Sequence, residues 1–149
     1  MSGTPQPTAT TVTDLEALTT VSLSEQGAFL HLTHPGTGLK LNNGDGQPMG
    51  LLLRGKDSTV VAAKEREISQ RRIDGALAVG RRPRIDANSL NVDAIELLVA
   101  ATKEVRNLVL RGQPVANTPQ AFTQLYTDFP WIREQVDTFI ADRANFLGK

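Results

Sequence analysis

GLLLRGKDS, Gly50 to Ser58, comes within one residue of spelling a phosphate-binding loop. Two glycines stand at the required spacing and Lys56 follows, but Asp57 takes the place of the Ser or Thr whose hydroxyl ligates magnesium. An aspartate there sets negative charge against phosphate, and Leu51 to Leu53 have the composition of a strand rather than of an open anion cradle. The segment therefore reads as a strand, a glycine turn and a helix cap, without nucleotide chemistry.

Other reactive residues lack the company that chemistry needs. His31 and His34 are the only histidines, and three-residue spacing in a strand points them to opposite faces, where they cannot share a metal. NNGDG, Asn42 to Gly46, offers oxygen ligands without the acidic spacing or distal glutamate of a calcium loop, so it reads as a turn. Serines and threonines come without a nucleophile elbow, and zero cysteines remove thiol mechanisms and disulfides. No catalytic residue, metal ligand or cofactor is nominated, and the expected class is a non-enzymatic binding module.

Charge narrows the partners. Lys plus Arg and Asp plus Glu number 16 each, so no global field draws the chain to nucleic acid or to a membrane. Locally, Lys64 to Arg84 holds seven basic residues against three acids and ends in GRRPR. Single-strand binders add stacking aromatics to such charge, and none lies between Phe29 and Phe122. The stretch reads as a solvated helix face and loop, with Arg81, Arg82 and Arg84 as a candidate docking patch for an acidic protein. The longest apolar run, Leu97 to Ala101, is five residues, too short to span a bilayer.

These residues need elements to hold them. At 149 residues and 40 % hydrophobic composition the chain suits one domain burying about 68–70 % of its unfolded surface. MSGTPQPTATTVT has little to bury, and residues 1–24 read as a flexible lead-in, 25–147 as one domain and 148–149 as a terminal tail. GAFLHLTHP alternates as a strand; a short strand around Leu39 to Leu41, an Asn43-Gly44 turn and a strand from Met49 to Arg54 complete a hairpin or meander. Asp57 and Ser58 can cap a helix reaching about Leu77, with Glu67 and Arg71 paired at four-residue spacing, and Gly80 and Pro83 end it. Val92, Ile95, Leu98, Val99 and Val105 predict a second helix, and RNLVLRGQPV a strand and turn. Thr118-Pro119 starts a helix to about Tyr126, and Pro130 starts the last. The fold class is α+β: a small antiparallel sheet of about three strands followed by about four helices.

Six of the seven aromatics fall in the last 28 residues. Phe122 and Phe139 sit on apolar stripes and read as core. Trp131 and Phe146 lie toward the edge of their stripe, where packing and partner anchoring suit them equally.

LVLRGQPVANTPQAFTQLYTDFPWIREQVDTFIADRANFLGK, with GAFLHLTHPGTG and LLLRGKDSTVVAAKERE before it, resembles the tail assembly chaperones of long-tailed bacteriophages, the siphovirus type. The resemblance covers roughly residues 25 to 147 and is most specific in FPWIREQVDTFIADRANF. It implies a protein of the infected host's cytoplasm that binds the tape measure protein, assists tail tube polymerisation and is missing from the finished virion. It also implies a longer form, made by ribosomal slippage at Leu147-Gly148-Lys149, that recruits the tail tube protein. Asn145 to Lys149 would then be exposed. Self-association is compatible with this role. The alternative is a virion structural component of the tail or head-to-tail connection, which shares the size, the charge balance and the lack of catalytic groups.

Overall fold

The computed structural model describes residues 9–79 and 87–147. Its helices are α1 (Thr20–Gln26), α2 (Thr59–Val79), α3 (Ala87–Ala101), α4 (Pro119–Asp128) and α5 (Pro130–Ala141). Its strands are β1 (Ala28–His31), β2 (Gly50–Leu53), β3 (Thr102–Arg106), β4 (Val109–Leu110) and β5 (Gln113–Pro114). The fold is α+β, as the sequence pattern requires.

Strand alternation builds the core. β1, β2 and β3 form one antiparallel sheet in that order, so β2 is central. The register sets Leu30 opposite Leu51 and Leu51 opposite Val105, which puts all three on one face. Against that face pack Leu98 and Ala101 of α3, Phe122, Leu125 and Tyr126 of α4, and Ile132, Val136 and Ile140 of α5. The opposite face carries Phe29, His31 and Leu52, with the Arg106 guanidinium 5.6 Å from the Phe29 ring centroid. β4 and β5 form a separate hairpin whose two-residue loop, Arg111 and Gly112, has φ of 52° and 79°, the left-handed pair that such tight turns require.

The helix starts follow from local chemistry. Thr118 Oγ1 accepts from Ala121 N at 3.2 Å and Pro119 occupies the first turn of α4, as its sequence predicts. α2 is capped by Ser58, whose Oγ accepts from Val61 N at 3.1 Å. Asp57 is not the cap: Arg143 holds it from the far end of the chain, Nε to Oδ2 at 2.5 Å.

Several other expectations are corrected. The segment read as a lead-in to residue 24 holds most of α1, with Ser24 buried, because Gly55 N donates to Ser24 O at 3.2 Å and ties the helix to the start of α2. Leu39 to Leu41 forms only bridges, Thr33 with Lys40 and Asn42 with Pro48. The third strand comes instead from Thr102–Arg106, so Val105 lies in the sheet and not on the helix stripe. α3 passes into β3 without a turn residue. Buried Thr102 marks the junction: its hydroxyl donates to Leu98 O at 2.7 Å and accepts from Tyr126 Oη at 2.5 Å. Burial pushes the Tyr126 phenol up, so it stays a donor. Glu67 pairs with Lys64 rather than with Arg71. Gly80 and Pro83, read as the end of α2, lie outside the described residues.

Candidate binding surface

The near phosphate loop is closed by the protein's own acceptors. Arg54 N donates to Ala101 O at 2.7 Å, Gly55 N to Ser24 O at 3.2 Å, Lys56 N to Ile140 O at 3.0 Å and Ser58 N to Gly55 O at 3.0 Å. Four amides that an anion cradle would turn toward phosphate are thus committed to carbonyls. The first turn of α2 is occupied as well. Thr59 N donates to the Glu25 carboxylate, and Val60 N reaches the same oxygen at 3.3 Å. Burial pushes the Glu25 carboxyl up, but these backbone donors outweigh it and hold it below its ordinary value. An internal carboxylate from α1 sits where a helix start would receive an external anion.

Three of the four described basic residues in the middle of the chain, Lys64, Arg71 and Arg72, are paired within the fold. Arg71 reaches Asp93 and Glu96 at 2.8 Å each, Arg72 reaches Asp93 at 2.6 Å, and Lys64 reaches Glu96 at 3.5 Å. Arg71 holds Glu96 below its ordinary range; for Asp93, burial pushes up and Arg72 and Arg71 more than reverse it. These pairs fasten α2 to α3, where few α2 side chains are apolar and buried. The acids that accept them stand three apart on α3, which is the signal that could have revealed the brace. Arg81, Arg82 and Arg84, the candidate docking patch, lie outside the described residues.

The two aromatic candidates separate. They stand at opposite ends of α5, whose twelve residues span about 18 Å. Trp131 is half-buried in the first turn, edge-on to half-buried Phe129 at 6.4 Å between centroids. Phe146 is 5 % exposed, which corrects its placement at a stripe edge. It folds back beyond α5, edge-on to Phe139 at 5.6 Å, and so near Gly55 that a Cβ there would meet its ring at 3.0 Å. Phe139, read as core, does pack against the core and is half-buried, the more exposed member of that pair. Asn145 to Leu147 is therefore interrupted by a buried anchor rather than exposed throughout, while Gly148 and Lys149 lie outside the described residues.

The feature that the sequence reading missed is the free edge of β1. Leu32 N donates to Met49 O at 2.9 Å, so even-numbered residues turn their backbone groups toward β2 and Phe29, His31 and Thr33 turn theirs outward. Gln135 of α5 meets the last of these like a short strand: Thr33 N donates to its Oε1 at 3.0 Å and its Nε2 donates to Thr33 O at 2.8 Å. Between β1 and α5 runs an open groove of roughly 390 Å³, with Leu30 and Phe139 as apolar lining and Glu134 and Asp142 as its acids. Glu134, Thr138 and Asp142 recur every four residues, a polar stripe visible in sequence once α5 is placed. His31 Nε2 lies 2.6 Å from Leu41 O, and His34 Nδ1 accepts from Gly36 N and Thr37 N, so each histidine serves its own loop.

Among the described residues no group of three metal-ligating side chains converges, and no helix is long and apolar enough to cross a membrane. Compared with known proteins, the chain matches no family model, no curated sequence and no solved structure.

Proposed function

We propose that this protein is a tail assembly chaperone of a long-tailed bacteriophage, acting in the host cytoplasm to hold the tape measure protein while tail tube subunits assemble. The motif resemblance over residues 25 to 147 supports this reading. One structural observation carries it further: Phe129 and Trp131 pack edge-on at the elbow between α4 and α5 and, although both lean on the core, each keeps part of its ring at the surface. An aromatic ledge on a rigid elbow suits capture of an apolar helical stripe, the surface that a long helical client presents before it is covered. Repetition over many copies lets weak contacts suffice.

Trp131→Ala tests it. Because Trp131 is not fully buried, the variant retains the α4–α5 fold by circular dichroism, whereas the soluble yield of co-expressed tape measure fragments falls. Equal yield with both proteins removes Trp131 as an anchor. Abundant protein in purified particles favours a virion structural component instead.

A further inference from the structure

We infer that the outer edge of β1 is a second binding site, which takes an extended, lysine- or arginine-bearing peptide as an added strand alongside α5. The inference is independent of the tape measure reading and rests on other residues of α5, Glu134, Gln135 and Thr138, which follow Trp131 along the helix.

Three observations carry it. First, the edge has unused hydrogen-bonding groups: Phe29 and His31 turn their backbones outward, and among the described residues no bond reaches those outward N–H groups. Gln135 already supplies a strand-like pair of bonds one step along, at Thr33, so the geometry for a continuing strand is in place. Secondly, β1 lacks the usual protection of an edge. Its sequence, Ala-Phe-Leu-His, holds no lysine, proline or bulge, whereas β3 at the other edge carries Lys103, Glu104 and Arg106 and a register shift against β2. Thirdly, the groove is acidic. Among the described residues no cation pairs with Glu134, and the Asp142 carboxylate accepts only from Ala144 N, at 3.0 Å on one oxygen.

Those charges choose the occupant. Backbone pairing alone would accept any extended chain, including β1 of a second copy, but two copies would bring their own acidic linings together. A peptide with lysine or arginine at alternate positions pairs with the edge while placing its cations toward Glu134 and Asp142. Main-chain bonds then supply affinity and alternate side chains supply selection.

The test uses the full chain and an acetylated, amidated peptide of about eight residues, a common strand length, alternating valine with lysine. Titration is followed by amide NMR shifts. The Phe29 and His31 signals are expected to move saturably, and a glutamate-for-lysine peptide is expected to bind about tenfold more weakly. Glu134→Lys, a surface change that leaves the fold intact, should weaken the lysine peptide by about two- to fivefold. No movement at Phe29 and His31 at millimolar peptide overturns the inference, as does equal binding of the two peptides. Sedimentation showing a dimer whose β1 amides are already protected overturns it in favour of self-pairing.

Discussion

The two edges of the three-stranded sheet are built from the same backbone and meet opposite fates. At β3 the outward N–H of Val105 is taken by Asn117 Oδ1 at 2.7 Å, and the strand's own sequence is charged and bulged. At β1 a side-chain amide performs the same service only at Thr33, beyond the strand's end, and the strand itself is apolar and regular. A side-chain carboxamide imitates a neighbouring strand because it sets an N–H donor beside a carbonyl acceptor. Where it is placed decides how much of an edge stays open. The contrast teaches that closure here is a matter of single residues outside the sheet, not of strand order.

The sharpest way to break the comparison is to remove the wall beside the open edge. Phe146→Ala deletes the ring that pins the end of α5 against Gly55 and is expected to cost about 3–5 kcal/mol, read as a lower urea midpoint. A loss under about 1 kcal/mol would mean that the aromatic does not act as core. Asn117→Ala attacks the closed edge. It leaves the Val105 N–H, on a strand residue that is itself buried, without its acceptor, for about 1–3 kcal/mol and faster amide exchange at Val105. Gln135→Ala lengthens the open edge, and because water reaches Thr33 the cost should be smaller, about 0.5–1.5 kcal/mol, with exchange accelerated at Thr33. If both carboxamide losses cost the same, the asymmetry between the edges is not one of burial.

The smallest effect expected is on pH dependence away from either edge. Arg143 holds the Asp57 carboxyl below its ordinary 3.8, and Glu25, Asp93 and Glu96 are likewise lowered from 3.8 or 4.5. Carboxyls lowered in the folded state stabilise it fully above their unfolded values, and that contribution is lost as pH falls through the lowered ones. Lys64 has the opposite sign: raised above 10.5 chiefly by Glu67, it contributes below that value and ceases to as pH rises through the higher one. Unfolding midpoints should therefore be level through neutrality and decline below about pH 4.5, with the decline reduced in Arg143→Ala. An unchanged acid profile in that variant would show the Asp57 pair to be inert.

What the sequence could tell divides along physical lines. α4 and α5 are legible because Thr118-Pro119 and Pro130 mark their starts and their apolar positions keep helical spacing. β2 is legible as an unbroken leucine run beside a glycine, as a central strand should be. β3 is not, since TKEVR lacks alternation and follows α3 without a breaker; its pairing with β2 is what makes it a strand. The deeper burial of Phe146 beside Phe139 is also invisible locally. It depends on the chain turning back after Asp142, whose side chain accepts from Ala144 N and starts a short 3-10 turn. The open groove depends on how α5 lies beside β1, which no local pattern encodes. Of the aromatic candidates, Trp131 keeps a surface and Phe146 does not.

The Asp57–Arg143 pair has a consequence in time. Its partners are 86 positions apart, and Phe146 closes over Gly55 across a similar distance. At translation rates of about 5–20 residues per second, roughly 4–17 s separate synthesis of the two halves of that closure. For about the first half of that interval, until Thr102–Arg106 is made, β2 can meet β1 but not β3, and its core face lacks the side chains of α4 and α5. Long-range closure of this kind also slows folding after release, because loop entropy must be overcome before the contacts form. A protein built this way holds part of its own core open for seconds before the last helix can cover it.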